Sequence, residues 1–123
     1  RNTIRRSQWF ELLALCWRSG HCTPIHDHTG SSCAFRVIEG HGTEVRFRVS
    51  PAGLVCPIGT VEMAPGYVCA AEDADIHQVA NMQPPGHDLI TMHIYSPAIE
   101  KMQTYTPMGV RKTVSWYDDP QGH

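Results

Sequence analysis

Apolar and polar residues alternate in short runs along this chain, and turns rich in Gly and Pro recur about every ten residues. The segment Glu44–Val49 is a clear example, because charged and apolar side chains alternate along it, as they do in a half-buried strand. We find no stretch with the period of an amphipathic helix. The pattern predicts strands over Phe10–Trp17, Cys33–Glu39, Glu44–Val49, Thr60–Met63, Ile76–Val79, Leu89–Tyr95 and Thr113–Tyr117. Many short strands with such turns are typical of a β-sandwich, a jelly roll or a small barrel.

Composition narrows the class of protein. The 123 residues allow one compact domain. Ten basic and twelve acidic residues give a net charge of −2, so we expect no nucleic-acid partner. No apolar run approaches the roughly 20 residues that cross a bilayer, and no signal peptide opens the chain, so we also expect no membrane partner.

The cysteines point to a compartment. There are five of them, an odd number, and none forms a C-x-x-C pair that would suggest a zinc ribbon or a thioredoxin site. Without an export signal, we expect a reducing cytoplasm, with most of the thiols buried as small apolar side chains. Because the chain opens at Arg1 without a methionine, we expect it to be a piece of a longer protein.

Two of the eight histidines are spaced for a metal. In His26-Asp27-His28 the imidazoles are two residues apart, so an extended backbone would project both from one face toward a single ion. Asp27 would point the other way and serve as a supporting group. Taken alone, the pair is weak evidence, because it is also compatible with two solvated or hydrogen-bonded histidines, and that alternative stays open.

The wider spacing resembles the first motif of the cupin superfamily, whose metal site lies inside a β-barrel. Gly20 is followed after five residues by His26 and His28, then after four by Cys33, and after six by Gly40. Cys33 stands where that motif usually has a glutamate ligand. The resemblance implies an all-β cupin jelly roll with the metal site inside the barrel, and we expect residues 1–123 to form one such domain.

A second motif of that superfamily is matched downstream. Gly59 is followed after five residues by Pro65, and later by His77-x-x-x-Asn81. The stretch between Pro65 and His77 is longer than usual. By this resemblance His77 is the third metal ligand.

Further segments of the sequence resemble the cysteine dioxygenase family. They run from Arg1 to about Tyr105 and comprise Cys16-Trp17, Pro24-Ile25-His26-Asp27-His28, Cys33, Glu39-Gly40 and His93-Ile94-Tyr95-Ser96-Pro97. That family has helices ahead of this region, and we expect them to belong to a part of the longer protein that precedes Arg1. The resemblance implies an iron(II) dioxygenase that converts L-cysteine and O2 to cysteine sulfinate, working as a monomer.

The same resemblance assigns roles to individual residues. Iron(II) would be held by His26, His28 and His77. A thioether crosslink would join Cys33 to Tyr95, an arginine that binds the substrate carboxylate matches Arg1, and the Ser96-Pro97 bond would be cis. Arg5 and Arg6 lie close enough in sequence to take the role of Arg1.

A row of polar residues on one predicted strand is a further candidate. Thr91, His93 and Tyr95 share a face, and a polar face inside a small sandwich is costly unless its groups are hydrogen-bonded. We expect His93 to orient the Tyr95 hydroxyl toward substrate, with Trp17 as a wall of the site. A stripe that simply faces water is the alternative.

Three functions therefore remain open. The first is a thiol dioxygenase, with L-cysteine favoured over 3-mercaptopropionate because enzymes for the latter usually lack residues equivalent to Cys33 and Arg1. The second is a non-oxidative metal-binding cupin, which has no need of Cys33 opposite Tyr95. The third is a binding module without metal.

Overall fold

The computed structural model describes residues 1–72, 75–106 and the backbone of 111–115. The described chain is built of β-strands, with no helix in these ranges. The strands are β1 Asn2–Arg6, β2 Glu11–Trp17, β3 Ile25–His26, β4 Ser32–Glu39, β5 Gly42–Val49, β6 Val55–Met63, β7 Val68–Ala71, β8 Ile76–Ala80, β9 Leu89–Ser96, β10 Lys101–Tyr105 and β11 Arg111–Ser115. The expectation of an all-β fold is confirmed.

The strands form two antiparallel sheets. One has the order β1-β2-β9-β4-β7, and the other has the order β11-β10-β3-β8-β5-β6. Neighbours in each sheet are often distant in sequence, because the chain passes from one sheet to the other. The described part of the chain contains no helix, and therefore none that is long and apolar enough to span a bilayer.

Most predicted strands are present, with shifted ends. The sequence predicts a turn at Ile58-Gly59 and a strand only from Thr60. In the structure β6 begins earlier, at Val55. The structure places these residues at a bulge, where the pairing shifts between Arg46 and Phe47 of β5. An edge strand tolerates proline at a bulge. The last strand is Arg111–Ser115, so the end of the predicted Thr113–Tyr117 lies outside the described residues.

Four strands were not predicted, because their own residues lack the pattern of a strand. β1 is exposed along its whole length and carries two arginines, so it has no apolar alternation. β3 has only two residues, and β7 and β10 are short strands of four and five residues. Pairing with longer neighbours makes such segments strands, and their own composition does not reveal it.

The interior divides into an apolar row and a polar row. Along β2, every second side chain is buried, and Trp17 lies opposite Leu89 of β9 in the apolar part. Six residues away on β9, Tyr95 lies opposite both Glu11 and Cys33, and all three are buried. The polar side chains of the barrel therefore gather around Tyr95.

Two further expectations are met. The Ser96-Pro97 peptide bond is cis. Asp27 is a supporting group: its Oδ1 accepts from Gln103 N (2.9 Å) and from the Thr29 hydroxyl (2.7 Å), and its Oδ2 accepts from the Tyr105 hydroxyl (2.9 Å). The carboxylate thus ties the turn after β3 to β10.

Candidate metal centre

Three histidines from two regions of the chain converge between the sheets. His26 of β3 lies directly opposite His77 of β8 in the antiparallel ladder. The ring centroids are 4.7 Å apart for His26 and His77, 4.8 Å for His28 and His77, and 5.1 Å for His26 and His28. All three side chains are buried. The structure brings the predicted ligands together.

The route by which His28 reaches the cluster differs from the prediction. β3 ends at His26, so His28 is not on a paired strand. It opens a turn in which its carbonyl accepts from Ser31 N (2.7 Å). The turn and the anchored Asp27 direct its ring inward, and strand periodicity alone does not account for that direction.

Hydrogen bonds orient two of the rings toward a common point. His26 Nδ1 donates to the carbonyl of Pro24 (2.8 Å), and His77 Nδ1 donates to Glu44 Oε2 (2.9 Å). A neutral imidazole that donates from Nδ1 presents a lone pair at Nε2. His26 and His77 therefore offer Nε2 as a metal ligand.

The spacing of the nitrogens suits a single ion. His77 Nε2 and His28 Nε2 are 3.2 Å apart, and one nitrogen from each of the three rings lies within 4.8 Å of the others. Nitrogen ligands sit about 2.0–2.1 Å from zinc, so neighbouring ligands on one ion lie about 3 Å apart. No carboxylate belongs to this cluster within the described residues. The residues fit a metal held by three imidazoles.

Burial keeps the imidazoles of His26 and His28 neutral. The pKa of His26 is lowered to about 3, first by burial and then by the neighbouring His77. Burial, followed by the neighbouring His26 and His77, lowers the pKa of His28 well below its usual value. Neutral imidazole is the form that ligates a metal, so both rings are ready to bind one at neutral pH.

Glu44 supports the cluster from behind. Its side chain is 1% exposed, and besides His77 it accepts from Arg46 Nε (2.7 Å) and the Cys69 thiol (3.3 Å). Burial alone would raise the pKa of Glu44, but the bonds from His77 and Arg46 outweigh it and lower the pKa to about 2. A carboxylate that holds the far nitrogen of a ligating histidine fixes its tautomer and orientation.

Sequence reasoning missed this role of Glu44. The alternation along Glu44–Val49 predicted the strand, but it did not reveal which face would be buried. In the structure Glu44 is among the most buried residues of β5, whereas Val45 and Phe47 are only partly covered. Only the pairing of β5 with β8 reveals that Glu44 turns inward, while Arg46 and Arg48 on the same face remain exposed.

A chain of hydrogen bonds runs along the inner face of β9. The Trp17 indole donates to Thr91 Oγ1 (2.9 Å), Thr91 Oγ1 lies 2.8 Å from His93 Nε2, and His93 Nδ1 lies 3.4 Å from the Tyr95 hydroxyl. These groups are buried, so the alternative of a water-exposed stripe is excluded. Trp17, predicted to wall the site, lies in the core at the far end of this chain, and its contact with substrate stays a prediction.

Cys33 and Tyr95 are direct neighbours across the β4–β9 ladder. Burial raises the pKa of the Cys33 thiol to about 12, partly offset by a hydrogen bond with Tyr95. Burial, then Cys33, raises the pKa of the Tyr95 phenol well above its usual value. The Tyr95 ring also lies 5.7 Å from that of His28, so the pair borders the histidine cluster.

Two charged residues near Tyr95 complete the site. Arg1 immediately precedes β1, and its positive charge lowers the pKa of Tyr95, while the charge of Glu11 raises it. Arg6 instead pairs with Glu11 (3.3 Å). Glu11 was not predicted, because nothing in the sequence marks an acid that opens an apolar strand as an interior residue.

A cavity of about 480 Å³ borders the cluster on the Glu44 side of His77. Its outer part is lined by Arg46 and Arg48, and its inner part by His77 and Cys69. Glu44, which accepts from His77 Nδ1, also lines this cavity.

Other histidines behave as expected. The sequence predicts surface imidazoles for His21, His41, His87 and His123, because they lack ligand spacing to a partner and lie in loop-like or terminal stretches. The first three are exposed, as predicted, and His123 lies outside the described residues. Trp9, expected as a core or edge aromatic, is 71% exposed in the turn before β2. Trp116 also lies outside the described residues.

Comparison with known proteins identifies a family. The family model described as cysteine dioxygenase type I matches residues 2–107. Cysteine dioxygenase type 1 of Danio rerio is 30% identical over 101 residues, covering 78% of this chain and 49% of the relative. The Homo sapiens protein of the same name is 26% identical over 99 residues with the same coverage. The chain spans about half the length of the curated relatives it matches.

Solved structures share the fold. A Bacillus halodurans protein superimposes with a TM-score of 0.66 and 18% identity, covering 90% of this chain and 75% of that one. An RmlC-like cupin protein from Desulfovibrio desulfuricans gives 0.58 and 21%, covering 80% and 81%. A Klebsiella pneumoniae protein with a double-stranded β-helix domain gives 0.60 and 13%, covering 94% and 83%. The expected cupin fold is confirmed.

Replacing Glu44 with Gln should weaken metal binding about tenfold to a hundredfold, because the amide keeps the shape but loses the charge that holds His77. Competition with a chelator, with cobalt(II) or air-free iron(II), measures this affinity. Glu62→Gln is the matched control, since Glu62 is an exposed carboxylate that only accepts from Thr43 (3.1 Å). Unchanged affinity in Glu44→Gln would contradict the supporting role.

Acid should destabilise the metal-free protein through its buried neutral histidines. Burial, then His77, lowers the pKa of His93 to about 3. The unfolded chain therefore binds more protons below pH ~6.5, and stability present above that pH is lost as the pH falls toward about 3. Each such histidine adds a slope of about 1.4 kcal/mol per pH unit.

His93→Gln should reduce the slope of unfolding free energy against pH by about one histidine's share. Urea unfolding between about pH 4 and about pH 6.5 measures this slope, because that window lies between the lowered pKa of His93 and its usual value. Leu13→Val is the matched control, because Leu13 lies opposite His93 in the ladder and carries no titrating group. It should lower stability at every pH without changing the slope. Equal slopes for wild type and His93→Gln would contradict the assignment.

Proposed function

The chain belongs to the cysteine dioxygenase type I family, and we propose that it is an iron(II)-dependent thiol dioxygenase that converts L-cysteine and O2 to cysteine sulfinate. The observation that carries the proposal is the meeting of three buried imidazoles, without a carboxylate, beside the Cys33–Tyr95 pair. The chain covers about half of its curated relatives, so its own activity needs a direct test.

The donor set suits the chemistry. Iron(II) held by His26, His28 and His77 would keep its full double charge and so supply a site for a substrate thiolate and for dioxygen. A carboxylate ligand would cancel part of that charge. The protein's part is to keep His26 and His28 neutral by burial and to orient the rings of His26 and His77 through Pro24 and Glu44.

The chain of hydrogen bonds on β9 has a direction that supports a proton role for Tyr95. The Trp17 indole can only donate, and the remaining described partner of the Thr91 hydroxyl is His93 Nε2, so Thr91 donates to it. His93 then carries its proton on Nδ1 and donates to the Tyr95 oxygen. The Tyr95 hydrogen is left pointing toward Cys33 or a substrate beside it, where it can be donated.

Arg1 is the proposed partner of the substrate carboxylate. A guanidinium can bind a carboxylate through two parallel hydrogen bonds. The effect of the Arg1 charge on Tyr95 supports a location near the site. Because Tyr95 and Cys33 border the histidine cluster and Arg1 supplies a positive charge that acts on Tyr95, a thiol that also has a carboxylate is the substrate class we favour.

We also propose a cellular compartment, an oligomeric state and partners for the protein. All five cysteines are free thiols, which suits the cytoplasm, a reducing compartment. We propose a monomer whose partners are a small thiol and O2, with neither nucleic acid nor membrane involved.

Oxygen uptake tests the activity. The protein is loaded with iron(II) without air, given L-cysteine or 3-mercaptopropionate, and then exposed to O2 while sulfinate is followed by mass spectrometry. We expect turnover, faster with L-cysteine, and a loss of a hundredfold or more in His77→Ala, since removing a ligand releases the metal. His87→Ala, an exposed histidine, should keep its activity. A protein that binds iron and cysteine yet consumes no O2 would refute the proposal.

The crosslink is tested by intact mass. Bond formation between Cys33 sulfur and the Tyr95 ring removes two hydrogen atoms, with O2 as the oxidant. After turnover in air, we expect part of the wild-type protein to be lighter by two hydrogens. Cys33→Ser should not show this change, and Cys69→Ser, which alters another buried thiol, should. A full-mass protein after turnover would count against the crosslink.

A further inference from the structure

The strand β1 follows directly on Arg1, the residue assigned above to the substrate carboxylate, yet none of its own side chains is packed in the core. All of its residues are exposed, and it lies at the edge of its sheet, next to β2. Segments with few buried contacts open most readily. The position of Arg1 therefore depends on the contacts that β1 makes with the interior.

A bulge in β1 decides which of its residues face the interior. Thr3 lies opposite Leu13, and Arg6 lies opposite Glu11. Leu13 and Glu11 are both buried, and directly opposed residues project from the same face of a sheet. The pairing shifts between Thr3 and Arg5, which inserts one extra residue into β1. Thr3 and Arg6 consequently share the inner face although an odd number of positions separates them, and Arg5 projects from the other face.

Glu11 contacts β1 on both sides of this bulge. Its Oε2 accepts from the Thr3 hydroxyl (3.5 Å), ahead of the bulge, and from Arg6 Nη1 (3.3 Å), beyond it. Both distances are long for a hydrogen bond, so the attraction depends on the charge of Glu11. The carboxylate itself is held in the interior, because it is 1% exposed and lies directly opposite Tyr95 of β9.

Burying this carboxylate is costly. Its other oxygen, Oε1, is buried without a hydrogen-bond partner in the described chain, and an unsatisfied buried acceptor destabilises the fold. An apolar side chain at this position would avoid the cost. The contacts with β1 are what Glu11 adds in return.

Arg1 lies on the side of β1 that Glu11 holds. Alternate residues of an extended chain share a face, and Arg1 is two residues ahead of Thr3. The positive charge of Arg1 lowers the pKa of Tyr95, which agrees with a position beside the site. The bulge thus turns Arg1 inward, and the contacts of Glu11 keep the bulge in place.

We propose that Glu11 is a positioning residue that binds both sides of the bulge and so keeps Arg1 turned toward the substrate carboxylate, an inference that rests on the proposed function because it concerns the same substrate site. Glu11 itself touches no substrate. The same arrangement distinguishes among the three neighbouring arginines. Arg6 is engaged by Glu11, and Arg5 projects from the opposite face of β1, which leaves Arg1 for the substrate.

Glu11→Gln tests this role because it keeps the size of the side chain and removes its charge. Air-free calorimetry on the iron(II)-loaded protein compares three thiols. L-cysteine and 3-mercaptopropionate carry a carboxylate, and cysteamine carries none. We expect the affinity for the first two to fall roughly fivefold, the equivalent of one partly exposed ion pair, and the affinity for cysteamine to stay unchanged. A variant with general damage to the fold would lose affinity for all three.

A double-mutant cycle shows whether Glu11 acts through Arg1. Arg1→Gln should weaken the binding of the two carboxylate thiols, and adding Glu11→Gln to it should then have no further effect. Arg6→Gln, which removes the contact beyond the bulge, should resemble Glu11→Gln. Glu39→Gln is the matched control, because Glu39 is an exposed glutamate on β4, and it should leave all three affinities unchanged.

The results separate this role of Glu11 from the proposed activity. Equal losses for the three thiols, no loss for any, or a loss that persists in the Arg1→Gln background would overturn the positioning role. If the wild type bound the thiols but consumed no O2, the proposed function would fail, and the binding cycle would still decide whether Glu11 positions Arg1.

Discussion

The pairing that sets His26 of β3 directly opposite His77 of β8 is the constraint on which the site depends. Without it, two segments about fifty residues apart would not meet, and His28 would have no cluster to join. The pairing is short, because β3 has two residues, so it relies on neighbours. Asp27 holds the following turn to β10, and Glu44 holds the ring of His77 from β5.

A polar interior is costly, and this barrel offsets the cost by satisfying nearly every group it buries. The donors and acceptors along β9 form a continuous chain from the Trp17 indole to the Tyr95 hydroxyl. Glu44 is bonded through both oxygens. Among the described residues, Glu11 Oε1 and His28 Nδ1 are exceptions, because both atoms are buried without a hydrogen-bond partner, and such groups are rare in folded proteins.

Membership of the cysteine dioxygenase type I family and the geometry of the site support each other, although they constrain different things. The family match places the chain in the cysteine dioxygenase type I family. The geometry adds three buried imidazoles that converge and a phenol that is hydrogen-bonded to His93.

The sequence by itself determined the strand-rich architecture, because periodicity and turn residues are local properties of the chain. It also predicted His26, His28 and His77 as metal ligands through their spacing and resemblance, and the structure brings them together. Only the tertiary structure decided which charged residues turn inward. Glu11 and Glu44 sit on strands whose alternation is compatible with either face, and it is the pairing of β2 with β9 and of β5 with β8 that buries them beside the site. Register between distant strands is a non-local property, so no pattern along the chain could reveal it.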